Sequence, residues 1–173
     1  MKWVTRSGLH VDRTACAWLI ARFIDSEAEF TFVSAATDPA SVEGHTFDMR
    51  RAEFSHSEGK CTFEVLLERY QLTGEPGLAE MGRIIREADV PLRRVSSKEA
   101  RGLDAIMRGF QIGVPDDDEK LHLTGPVYDA LFAYCREKSS TAKVHRTGTP
   151  RPRLRYSQRV LAHLQEENEA ASD

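Results

Sequence analysis

Lys2-Trp-Val-Thr-Arg6, then Asp12-Arg-Thr-Ala-Cys-Ala-Trp-Leu-Ile-Ala-Arg-Phe-Ile-Asp25, then Glu29-Phe-Thr-Phe-Val33 is the stretch that decides the fold. In the first piece Trp3 and Val4 sit among polar neighbours in weak alternation, which predicts a short strand. In the second, Ala15, Trp18, Leu19, Arg22 and Phe23 follow at i, i+3, i+4, i+7 and i+8, so one face of a helix is apolar, with Asp12 standing at its N-cap. The third alternates with period two and predicts a second strand. Strand, helix and strand within residues 2–33 have the size of a βαβ unit, in which two parallel strands are joined by a right-handed crossover.

Outward from that unit the pattern turns helical. Residues 34–60 are rich in Ala, Ser, Asp, Gly and His, and only His45–Asp48 and Glu53–His56 are able to form strand. A connection this long inside a compact domain usually carries function. Phe63, Leu66, Leu67 and Tyr70 mark a helix over 62–72, and Leu78, Met81, Ile84 and Ile85 mark another to about residue 88. Ser96 or Ser97 caps a third, with Glu99 placed to complete a capping box. Asp116, Asp117, Asp118 and Glu119 open a fourth, where acids complement the helix dipole, and Gly125-Pro126 is predicted to split it. The fold class is therefore α/β, with α+β as the alternative: a mostly helical single domain with a small sheet that starts from the βαβ unit. Residues 1–138 form the domain; 139–173 read as a basic linker over 139–152 and a short terminal helix over 156–169.

Charge and composition exclude several function classes. The 24 Lys and Arg nearly balance 27 Asp and Glu, but residues 1–140 carry 18 basic and 23 acidic side chains and residues 141–173 carry 6 and 4. No apolar run approaches the roughly 20 residues that span a bilayer, and Asp12 and Arg13 precede the first apolar run, against the order of a secretory signal. The expectation is a cytoplasmic protein without a membrane partner. Cys16, Cys61 and Cys135 are odd in number and make no CxxC pair, which argues against a disulfide framework. GxSxG, P-loop, GxGxxG and HExxH patterns are all missing from the sequence.

Three groups of residues can carry chemistry. Asp12 and Cys16 are i and i+4 on one face at a helix start, beside Arg13, where an anion or a thiolate is favoured. The same residues serve equally as a cap, an exposed cation and a buried small side chain. Asp48, Glu53, His56, Cys61 and Glu64 offer five potential ligands within one short stretch. His and carboxylates suit iron, manganese or zinc, and a thiolate shifts the preference to softer ions. The acids 116–119 with His122 are the third group, and their place at a helix start explains them without a ligand.

The run Asp12 to Asp25, followed by Ala28-Glu-Phe30 and Phe32-Val33, resembles the opening of the chromate-resistance (ChrB-type) domain. The similarity continues in Phe47-Asp48, Ser55-His56, Gly59, Cys61-Thr-Phe63, Asp116-Asp117, Glu119, Tyr128-Asp-Ala-Leu131 and Cys135-Arg136, and so covers about residues 2–138. At Asp118 the family pattern often has His, and at Ala17 often Pro. The resemblance implies a chromate-sensing or resistance accessory, and it draws the three groups into one site. In that site Asp12 and Arg13 would bind an oxyanion, His56, Glu64, Asp117 and Glu119 would hold a divalent metal (iron, manganese or zinc), and Cys16 or Cys61 would donate electrons if the protein is a redox enzyme. Enzyme and sensor stay open. The alternative function is a regulatory accessory that binds nucleic acid or a protein partner through the basic segment 143–159.

Overall fold

The computed structural model describes residues 1–89 and 97–144, the side chains of 141–144 excepted. Strand β1 (Lys2–Arg6) leads through a tight Ser7-Gly8 turn into helix α1 (Val11–Leu19), whose last turn widens into a π-helix over Ile20–Ile24. Strand β2 (Glu29–Val33) then pairs with β1 in parallel, with Lys2 opposite Glu29 and Arg6 opposite Val33. The βαβ unit predicted from the sequence is thus present. A two-residue strand β3 (His45–Thr46) pairs in parallel on the other side of β1, giving the order β2-β1-β3.

Four further helices follow. They are α2 (Thr62–Arg69), α3 (Leu78–Asp89), α4 (Lys98–Gly113) and α5 (Asp117–Val144). The domain is a mostly helical α/β fold, as the periodicity predicts. Ser97 caps α4, its Oγ accepting the Ala100 N–H at 3.3 Å. Asp116 opens α5, its carboxylate accepting the Glu119 N–H at 2.8 Å.

Two expectations are corrected. Asp12 does not cap α1: His10 stands at the N-cap and Asp12 lies in the first turn, fully buried, with its carboxylate turned to another helix. Gly125-Pro126 does not split the last helix, which runs through Pro126 without a break. The residue before a proline resists helix because its Cβ meets the ring, and Gly125 has none. Tertiary contacts then hold the helix on both sides of Pro126. N-terminal to it, Asp117 accepts the Gly8 N–H at 2.9 Å, and C-terminal to it, Tyr128 is wholly buried and donates to the Val11 carbonyl at 2.8 Å.

The core packs Trp3, Phe47, Phe63, Leu66, Ile84 and Ile85 between the sheet and helices α1 to α3. By chain contacts the protein divides into two units, Met1–Ala142 and Lys143–Asp173. Helix α5 occupies 139–144, where composition predicts the start of a linker. The rest of that linker, the helix expected over 156–169 and the cations from Arg146 to Arg159 lie outside the described residues. Among the described residues no helix is long and apolar enough to cross a membrane.

Candidate metal centre and cleft

The centre starts from a helix end that needs an acceptor. The first N–H groups of any α-helix have no partner within it. At α2 those of Thr62 and Phe63 donate to the two carboxylate oxygens of Asp12, at 2.7 Å to Oδ2 and 3.0 Å to Oδ1. A buried carboxylate would be costly alone, but here it meets the positive end of a helix dipole and two directed donors. Asp12 is thereby fixed in place, with the Cys16 thiol against Oδ1 at 3.5 Å.

Around this anchor three more polar groups converge. His56, on the connection between β3 and α2, places Nε2 2.9 Å from Asp12 Oδ2 and 3.3 Å from Asp48 Oδ1. Asp89, the last residue of α3, reaches to 3.8 Å from the same nitrogen. Hydrogen bonds to Asp12 and then Asp48, opposed by partial burial, push the His56 pKa up to about 10, so without a cation the ring is protonated at neutral pH, and a metal ion bound there would have to displace that proton. Burial, and after it the charges of Asp12 and Asp48, push Asp89 up to about 6. One ligand atom from each of Asp12, His56 and Asp89 lies within 4.8 Å of the others, close enough for a single ion.

Arg13 and Asp48 frame the group. Asp48 adopts a left-handed backbone (φ 45°), a strained conformation for a non-glycine residue. Its Oδ2 meets Arg13 Nε at 2.9 Å and its Oδ1 accepts from the Thr62 hydroxyl at 3.0 Å. Arg13 also donates to the Gly8 carbonyl at 2.8 Å. The guanidinium expected to bind an oxyanion is largely engaged within the protein.

The centre forms one side of an open cleft of about 640 Å³. His56 and Asp89 line it, with Asp12 behind them, and α4 supplies Arg101, Asp104 and Arg108 from one helical stripe. Arg6, the last residue of β1, faces in at the carboxyl end of the parallel sheet. That end is where α/β sheets generally take their ligands.

The structure therefore brings together Asp12, Arg13, Cys16 and His56, and it adds Asp89, which the sequence reading passes over. A signal for Asp89 exists: an acid in the last turn of a helix opposes the dipole, so its position calls for another explanation. The remaining candidates have other places. Glu64 accepts the Cys61 N–H at 3.1 Å in its own helix start and pairs with Arg86 at 3.3 Å. Asp117 accepts from Gly8, Leu9 and Lys120, at 2.9, 3.3 and 2.8 Å, and these bonds lower its pKa against the opposing effect of burial. Glu119 is exposed at the start of α5. Cys16 and Cys61 are both wholly buried, and burial followed by the nearby Asp12 charge raises both thiols well above their ordinary range. Neither lines the cleft.

With two carboxylates and an imidazole as donors and no thiolate, the group suits manganese, iron or zinc rather than softer ions. Comparison with known proteins then places the chain. It is 40% identical over 134 residues to Protein ChrB of Cupriavidus metallidurans, an alignment covering 77% of this chain and 40% of that protein. The chain thus spans well under half the length of that relative. No solved structure matches. The family model described as ChrB, C-terminal domain matches residues 3–135, a range that holds every residue of the centre and its cleft, and the chain belongs to that family.

Proposed function

We propose that this domain serves chromate or metal stress response by binding one divalent transition metal ion through Asp12, His56 and Asp89, in a cleft that also admits an oxyanion. The observation that carries the reading is the convergence of three ligand atoms within 4.8 Å, from residues far apart in sequence, on one side of a solvent-open cleft. Asp12 is fixed by two backbone N–H groups, while His56 and Asp89 reach the cleft and leave coordination positions open to a ligand. Three protein ligands with open positions are the arrangement of reactive or sensing centres rather than of closed structural ones. Membership of the chromate-resistance family supports the physiological setting. The reading gives Cys16 and Cys61 no redox part, because the thiolate is the reactive form and both sulfurs are held as buried thiols.

The test is metal titration of the purified chain with manganese(II), iron(II) and zinc(II), beside His56→Ala, Asp89→Asn and Glu119→Ala. One ion per chain is expected for wild type and Glu119→Ala, with affinity down by about 100-fold or more in the first two variants, since loss of a direct ligand costs at least what loss of an outer-shell partner does. Uptake that is equal in all four proteins, or absent from wild type, refutes the centre.

A further inference from the structure

The charges that line the cleft do not balance within it. Arg13 is paired with Asp48, Arg108 with Asp104 at 3.3 Å, and His10 with Asp104 at 3.4 Å. Glu87 accepts the Ser97 N–H at 2.8 Å and pairs with Arg83, outside the cleft. Arg6 also lines the cleft, and no hydrogen bond or ion pair holds its guanidinium among the described residues. A cation at the carboxyl end of a parallel strand, in a cleft and without a carboxylate of its own, is placed for an anionic ligand.

The size of the space says which kind. At about 640 Å³ the cleft falls in the range of about 300–1,000 Å³ typical of sites for organic molecules. A single tetrahedral oxyanion would fill only a small part of it. Ala88 and Ala100 supply short apolar lining suited to a carbon chain. We propose that the cleft binds an organic anion with two separated acid groups, one on the metal ion held by Asp12, His56 and Asp89 and the other on Arg6. The inference rests on the metal reading above. It assigns Arg6 the role of a specificity-determining residue, since a guanidinium matches a carboxylate through two parallel hydrogen bonds.

A set of diacids measures the span between the two ends. The full chain is first loaded with manganese(II) and its uptake measured. Malonate, succinate, glutarate and adipate are then titrated calorimetrically, with acetate, phosphate and chromate alongside. The expected result is an optimum at one chain length, with the best diacid roughly tenfold or more tighter than acetate or phosphate, a step of one decade in Kd. Arg6→Gln, which removes no side-chain hydrogen bond or ion pair among the described residues and should melt like wild type, is expected to bring the best diacid down to the level of acetate and leave acetate unchanged. With manganese taken up, equal binding of all the anions, tighter binding of phosphate or chromate than of every diacid, or an unaffected Arg6→Gln overturns the inference alone. Absence of manganese uptake overturns the metal reading and this inference with it.

Discussion

Asp12 shows how one side chain can serve structure and site at once. Its two oxygens receive the Thr62 and Phe63 N–H groups, the Cys16 thiol and His56, so every donor around it points inward. Asp12→Asn keeps the shape but turns one acceptor into an NH2 group facing those donors. Hydrogen bonds to a charged acceptor contribute about 1.5–3 kcal/mol each, so the variant should lose about 2–4 kcal/mol of stability in urea unfolding. A loss below about 0.5 kcal/mol, the usual range of surface substitutions, would show that the carboxylate does not hold α2. Sequence spacing made Asp12 a candidate but assigned it to the wrong helix. A cap on its own helix is a local matter, legible within four residues, whereas Asp12 caps a helix that begins 50 residues later.

At the scale of elements, the apolar stripes reported the helices faithfully, because burying one face at a period of 3.6 residues is a constraint each segment satisfies by itself. What the stripes do not report is which polar groups tie the helices together. Helix α3 is joined to α5 through Glu80, which accepts from Arg83 at 2.9 Å and from Lys138 at 3.0 Å. Bonds to Arg83 first and Lys138 second lower the Glu80 pKa to about 2, although partial burial opposes them. A carboxylate whose folded pKa lies below its unfolded value stabilises the native state above the unfolded value of 4.5, and that contribution fades as pH falls towards about 2. Glu80→Gln should therefore be less stable than wild type at neutral pH by about 1 kcal/mol, given partial exposure, with the gap closing across this window. Denaturant melts at several pH values check it, and a gap that persisted at the acid end would assign the loss to packing instead. Helix α5 carries the complementary lesson: Pro126 argues locally for a break, and contacts with the β1–α1 turn and with Val11 outweigh it.

At the scale of the whole molecule, the candidate centre exists only when the chain is folded. Asp12 and His56 are 44 residues apart, and the Asp12 backbone meets Asp89 across 77 residues, so the unfolded chain cannot present the three ligands together. This is also why the set was only half legible in the sequence: the α1 start and the 48–61 connection drew attention through their own polar density, while Asp89 gains its meaning from α3 ending beside α1. An ion that binds the native state alone stabilises it by mass action, about 2.7 kcal/mol at a hundredfold excess over Kd. For a chain of this size each kcal/mol moves the melting temperature by roughly 2–4 °C, so saturating manganese(II) should raise Tm by roughly 5–10 °C relative to protein kept in chelator. His56→Ala and Asp89→Asn, with affinity lowered by about 100-fold or more, should rise by no more than roughly 2 °C at the same metal concentration, and Glu119→Ala should respond as wild type does. A Tm that does not move in wild type, or one that moves equally in the ligand variants, would mean that the Asp12, His56 and Asp89 side chains serve only as an ion-pair network that closes the fold around α2.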